Sequence, residues 1–322
     1  MSLKHETIIK QMSLEEKALM MSGKNVWQTQ DFPQYGIPSM MMSDGPHGMR
    51  TQPPEACDHL GINASMPATC FPTAATVANT WDKAMVEEMG KALATEAVST
   101  GVHVVLGPGL NIKRSPLCGR NFEYYSEDPY HAGKMAASLI KGIQSYGISA
   151  CPKHYAVNSQ ELRRMAMNSV IDERTLREIY LTGFEIAVKE GKAKSIMSSY
   201  NEVNGVYANE NKHLLQKILV EEWGFDGYVV SDWGASNDHA LGVKHGSHLE
   251  MPGTSKTGQK EILQGIKDGV LTEEELDQRL DELLDVILST QEGLENAKKT
   301  HGIGTTTMTE QGFDVEAHHT LA

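Results

Sequence analysis

The strongest constraint in this sequence is an alternation. Short apolar runs that end in polar residues are separated by longer stretches of helical period. IPSMMMSD (Ile37–Asp44), VHVVLGPG (Val102–Gly109), ISACPKHY (Ile148–Tyr155), KSIMSSYN (Lys194–Asn201) and DGYVVSDW, ending at Trp233, predict five strands. HLEMPG (His248–Gly253) predicts a sixth, and Cys70–Asp82 is expected to hold another. Between them, WDKAMVEEMGKALATEAVSTG repeats apolar residues three and four apart. Further helices are predicted over Glu127–Gly147, Asp172–Gly191, Asn211–Gly224, Gly258–Asp268 and Thr272–Gly293. Strands that read as near-continuous apolar runs are buried on both faces, which indicates a parallel sheet covered by helices.

Two α/β architectures satisfy that pattern, an open doubly wound sheet and a closed (β/α)8 TIM-like barrel. Polar residues at the strand ends separate them. Asp44, Lys153 with His154, Tyr200 and Asp232 each stand where a strand gives way to a loop. A barrel opens all its strands on one face, so such side chains converge there. An open sheet gathers ligand groups mainly at one switch point. Contributions from four or more strands favour the barrel, over residues 1–293. Residues 294–322 have a Gly/Thr-rich centre and no periodic apolar face, and read as a linker toward something further.

Composition excludes several function classes. The formal net charge of -13 argues against nucleic acid or an anionic membrane as the main partner. Cys57, Cys70, Cys118 and Cys151 form no CxxC pair and show no zinc-ligand spacing, so they read as reduced thiols, and no metal or other cofactor is expected. No GxGxxG follows a strand, no P-loop is present and no metal-ligand cluster stands out, against an α/β dehydrogenase or phosphatase. The first residues read as an amphipathic helix, not as a signal peptide, and no apolar run is long enough for a membrane span. A soluble, cytoplasmic location is the expectation.

The strand-end residues carry the chemistry. Asp232 alone reads equally as a loop carboxylate or a helix cap. Its neighbour Trp233 changes that, because an indole offers an apolar wall to the C–H face of a sugar ring. Lys153 and His154 form a second polar pair, and Arg120 and Arg164 add cations. Charged groups bond hydroxyls more strongly than neutral ones, so this set suits a neutral polyhydroxylated ligand. The cations are expected to keep Asp232 ionised, as a nucleophile requires.

The runs SDGPHGMR, GPGLNIKRSPLCGRNFEYYSEDP, KHYAVNSQELRR, IMSSYNEVNG and GYVVSDW occur in this order. They resemble the N-terminal barrel of glycoside hydrolase family 3, most closely its bacterial β-glucosidases. The likeness runs from about residue 10 to the C-terminal stretch FDVEAHHTLA, which is similar to the family's approach to a second, α/β sandwich domain. The resemblance implies a retaining mechanism with Asp232 as nucleophile. It implies that Asp44, Arg50, Arg120, Lys153, His154, Arg164 and Tyr200 hold the non-reducing glucosyl unit, that Trp233 lines the same subsite, and that the Tyr200 hydroxyl points at the nucleophile. The implied partner is a β-glucoside or a short β-linked oligosaccharide.

A retaining glycosidase needs a second carboxyl roughly 5 Å from the first. None stands out. The resemblance implies that two-domain members take this Glu from the domain after the barrel. Single-domain relatives use a His-bearing loop after a KHFPG-like motif, which KHYAVNSQELRR lacks. Glu123, Glu127 and Asp128 precede a helix and fit capping and ion-pair roles better. The expectation is therefore a nucleophile-bearing domain, poorly active alone. A non-catalytic sugar-binding or scaffold protein derived from the same barrel is the alternative. An apolar face left exposed where a second domain docks would also permit a homo-oligomer.

Overall fold

The computed structural model describes residues 3–53 and 62–322. Five strands form its parallel frame: β1 (Met42–Asp44), β2 (Val104–Leu106), β3 (Ser149–Ala150), β4 (Ser195–Ser198) and β5 (Tyr228–Ser231). Each falls inside a predicted apolar run. β1 pairs with β2 and β2 with β3, in register Met42–Val104 and Val104–Ser149. A parallel bridge from Tyr155 to Ser198 carries the sequence of strands to β4, which pairs with β5 over Ser195–Tyr228 to Ser198–Ser231.

The ring then closes irregularly. Leu249 bridges Val230, and Glu250 bridges Ser22, both parallel. The sixth predicted run, His248–Gly253, thus contributes single bridges and not a regular strand. From Ser22 the chain turns through a hairpin, with Gly23 opposite Thr29 and Gln28 opposite Met41, both antiparallel. The result is a TIM-like α/β barrel whose last side is sealed by a hairpin.

Alternation along each strand divides the core. Val104, Leu106, Met197, Tyr228 and Val230 pack with the N-terminal segment and the long C-terminal helix. Val105, Ile196 and Val229 face the other way, onto Leu93, Ala97, Leu139 and Phe184 of the outer helices. Those helices run over Lys83–Ser99, Pro129–Gln144 and Thr182–Lys189, the first two capped by Asp82 and Asp128.

Three expectations need correction. Cys70–Asp82 holds a helix, Ala74–Ala78, and no strand. Its alanines favour helix, and Ala74, Val77 and Ala78 bury one face at the helical period. The N-terminal amphipathic stretch is two helices, Glu6–Ile9 and Leu14–Met20, because Ser13 and Glu16 form a capping box that starts the second. The helix expected to stop at Gly293 runs from Glu273 to His301 and ends at Gly302. Gly293 is there for contact: a Cβ on it would lie 2.1 Å from the carbonyl oxygen of Gly147. Leu294 and Ala297 are buried, so the stretch after 293 does present an apolar face. The residues beyond His301 lie back along the barrel, through Thr306 and a final helix, Val315–Leu321.

Cys70, Cys118 and Cys151 are free thiols, and Cys57 lies outside the described residues. Among the described residues no helix is long and apolar enough to cross a membrane, and no group of His, Cys, Asp and Glu is arranged to hold a metal ion.

Candidate active site

The strand ends converge as the barrel requires. Asp44 is the last residue of β1, Asp232 follows β5 directly, Lys153 and His154 follow β3, and Tyr200 follows β4. Arg50, Arg120 and Arg164 come from the loops after β1, β2 and β3. Together with Trp233, all nine predicted residues line one hollow of about 430 Å³, within the size range of small-molecule sites.

The hollow contains an anchored carboxylate and a free one. Lys153 Nζ donates to Asp44 Oδ1 at 2.9 Å, and the lysine is almost fully buried. Burial pushes the Asp44 carboxyl upward, but Lys153, backed by Arg120 and Arg50, more than offsets it and holds Asp44 below its ordinary value. Lys153 is likewise discouraged from ionising by burial, yet Asp44 and Glu123 keep it charged.

Asp232 is different. Its Oδ1 accepts the Trp233 N–H at 2.8 Å, which fixes the carboxyl at the strand end. Its Oδ2 is buried, accepts no hydrogen bond and lies 3.6 Å from His154 Nε2. Burial raises the Asp232 carboxyl above its ordinary value, and Arg120, Lys153, the Trp233 N–H and Arg164 recover only part of that. The cations pull Asp232 toward ionisation, as expected of them, but burial is the larger influence, and none of them donates a hydrogen bond to it.

His154 does not form an ion pair with Asp232. Arg120 Nη2 lies 2.8 Å from His154 Nε2, and since guanidinium only donates, that nitrogen accepts. The proton is then on Nδ1, within reach of Asn111 Oδ1 at 3.2 Å and the Tyr124 hydroxyl at 3.1 Å. Burial, then Arg120, Lys153 and Arg164, depress His154 well below the usual imidazole range, so it is neutral. Arg120 is also paired with Glu123. Arg164 donates to Glu161 Oε2 at 2.8 Å and lies over the Tyr200 ring, 4.6 Å from its centroid. The Tyr200 hydroxyl donates to the Trp233 carbonyl at 2.8 Å, and burial and then the neighbouring Asp232 carboxylate push it above its ordinary value.

Of the three carboxyl groups lining the hollow, Asp44 is held by Lys153 and Glu123 by Arg120, which leaves Asp232 as the one with a buried oxygen that accepts no hydrogen bond among the described residues. Asp128 caps the helix that starts at Pro129 through the Tyr130 and His131 N–H groups.

Trp233 forms a wall with a residue that strand reasoning missed. Trp27 packs on it with ring centroids 5.4 Å apart, and Trp233 Nε1–H donates to the Val26 carbonyl at 2.7 Å. Both partners come from the closing hairpin. His47 and Phe122, in edge-on contact at 5.7 Å, complete the mouth from two loops. The only available signal was proximity in sequence to Asp44 and Arg120.

The family model for the glycosyl hydrolase family 3 N terminal domain matches residues 13–286. A protein named thermostable beta-glucosidase B from Acetivibrio thermocellus is 49% identical over 322 residues, 100% of this chain and 41% of that protein. An exo-alpha-(1->6)-L-arabinopyranosidase from Bifidobacterium longum is 40% identical over 314 residues, 98% of this chain and 40% of its own length. The solved structure of beta-glucosidase 3B from Thermotoga neapolitana in complex with glucose superposes with a TM-score of 0.87 at 39% identity, covering 99% of this chain and 46% of that one. The chain thus spans about two fifths of the length of the curated relatives it matches. By matched length, by identity and by the barrel itself, this chain belongs to glycosyl hydrolase family 3, as its N-terminal domain.

Proposed function

We propose that this barrel is the nucleophile-bearing part of a retaining β-glucosidase, which hydrolyses terminal non-reducing β-D-glucosyl residues. One observation carries the reading: Asp232 lines a sugar-sized hollow at a strand end, its carboxyl fixed by the Trp233 N–H at one oxygen while the other accepts no hydrogen bond. A carboxylate so placed can attack an anomeric carbon and form a covalent glycosyl–enzyme. Asp44, Lys153, Arg50, Arg120, His154, Arg164 and Tyr200 hold the sugar hydroxyls around it, and Trp233 supports the ring face.

The acid that protonates the leaving group comes from a Glu outside this chain, on a domain reached beyond the segment 294–322. Glycosides with poor leaving groups should therefore react more slowly by about 10²–10⁴-fold without that partner, whereas activated ones still transfer to Asp232. The relatives named as arabinopyranosidases favour one second reading, an L-arabinopyranosyl unit in the same hollow. A panel of activated aryl glycosides separates the two sugars by relative rate.

The test is incubation with a 2-deoxy-2-fluoro-β-glucosyl donor carrying an activated leaving group, followed by intact mass measurement. The expected result is one glycosyl adduct on the native chain and none on Asp232→Asn. No adduct on the native chain, with sugar binding retained, would favour a non-catalytic sugar-binding protein instead.

A further inference from the structure

The C-terminal segment ends in a buried polar contact that points toward the sugar site. His318, on the last helix, places Nδ1 2.7 Å from Glu96 Oε1. The histidine is stacked on Phe313 at 4.8 Å and tilted against Phe71 at 6.1 Å, which fixes its ring. Glu96 is 1% exposed, in the last turn of an outer helix. A carboxyl so buried must have its oxygens occupied. His318 serves one, and the backbone N–H of Thr69 donates to the other at 3.0 Å.

Thr69 in turn supports the loop that carries Asp44, His47 and Arg50. A Cβ on Gly48 would lie 2.7 Å from the Thr69 carbonyl oxygen, so the two backbones are in direct contact. Gly48 sits at φ +146, a conformation open to glycine, and its backbone lines the hollow. A second route reaches the base of the same loop. Thr306 N–H donates to the Ser99 carbonyl at 2.9 Å, and the two hydroxyls are 2.7 Å apart. The next residue, Thr100, has its hydroxyl 3.3 Å from that of Thr51, which donates to Ser43 Oγ at 3.4 Å. Ser43 and Thr51 bracket the segment from Asp44 to Arg50.

We propose that His318 and Glu96 are positioning residues for sugar binding: the segment 305–322 is a strut that holds the Asp44–Arg50 loop in its binding conformation through Thr69. The choice of sugar as ligand rests on the β-glucosidase reading; the strut does not. Tension on this segment would change sugar affinity without any new contact in the hollow.

Two measurements on the full chain test this. The first is amide hydrogen exchange, which needs no ligand. In His318→Ala, the amides of Met49 and Arg50 should exchange roughly tenfold faster than in the native chain, while those of β4 and β5 are unchanged. The second is D-glucose binding followed by tryptophan fluorescence. His318→Ala should weaken it roughly tenfold, His318→Asn, whose amide can still donate to Glu96, should restore it to within about threefold, and in an Arg50→Ala background the His318→Ala effect should shrink to within about twofold. A merely structural loss would add to Arg50→Ala in full. Should His318→Ala not fold, Thr306→Val gives the same two readouts through the second route. Unchanged exchange at Met49 and Arg50 overturns the proposal whatever the sugar does. Faster exchange as expected, with no glucose binding by the native chain, would sink the β-glucosidase reading and leave the strut standing.

Discussion

Two carboxylates share this hollow and are driven in opposite directions. Asp44 and Asp232 stand at the ends of β1 and β5 and face the same cations. Asp44 is held below its ordinary value and Asp232 above it. Burial raises both; at Asp44 the charge of Lys153, then its hydrogen bond, more than offsets that, whereas at Asp232 Arg120, Lys153 and the Trp233 N–H do not. Lys153 donates directly to Asp44, whereas Asp232 receives only the Trp233 N–H and leaves one oxygen bare. On the proposed function, the carboxylate already bonded to a cation serves as a fixed acceptor for sugar hydroxyls and the unpaired one as the nucleophile. Opposite environments for two like groups mark their separate roles.

The sharpest way to break that contrast is to remove the lysine. Lys153→Met should strip Asp44 of its partner and raise its carboxyl toward the state of Asp232. Asp44 is partly open to solvent, so the loss is discounted from that of a fully buried pair to about 1–3 kcal/mol of stability. Urea denaturation measures it, and D-glucose binding should fall alongside. A variant as stable as the native chain would mean that the pair contributes nothing.

A smaller effect is expected in pH. On the proposed function, glycosyl transfer needs ionised Asp232. Because its carboxyl is raised, the labelling rate should climb with pH through a value above that of an ordinary aspartate and then level off. Mass measurement across a pH series reads this directly, and a rate that is already flat at the ordinary aspartate value would contradict the burial argument.

The smallest effect concerns stability. An acid whose folded value is raised stabilises the fold while protonated, below its unfolded value, and that contribution is lost as pH rises through the folded value. At neutral pH the charge on Asp232 is thus a burden. Asp232→Asn should raise the melting temperature by about 2 °C at pH 7 and by less at pH 4. A lower melting temperature at pH 7 would show that the nearby cations need the charge more than burial opposes it.

The sequence makes the site more legible than the frame around it. Asp44, Lys153, Tyr200 and Asp232 can be found because each follows an apolar run, and the barrel brings such ends together. Trp27, His47 and Phe122 cannot, since they come from a hairpin and from irregular loops where no period marks which way a side chain faces. The closing hairpin escapes for the same reason: its pairing consists of single bridges between residues with no alternating pattern. The end of the helix is misplaced at Gly293 because a glycine that ends a helix and one that permits contact look alike in a string. The capping box at Ser13 is readable, and it corrects the single N-terminal helix without any coordinates.

The contact between Gly147 and Gly293 has a bearing on how this protein tolerates change. One of these positions is a turn at φ +76 that already favours glycine, and the other is the inside of a long helix, which by itself invites substitution. Their main chains touch, and even a methyl group at either would have to displace the opposite backbone. A saturation library should therefore show both sites restricted to glycine, with no double substitution restoring what one lost. Such a pair is a mutual veto between two places remote from each other along the chain, and nothing around Gly293 in the string gives notice of it.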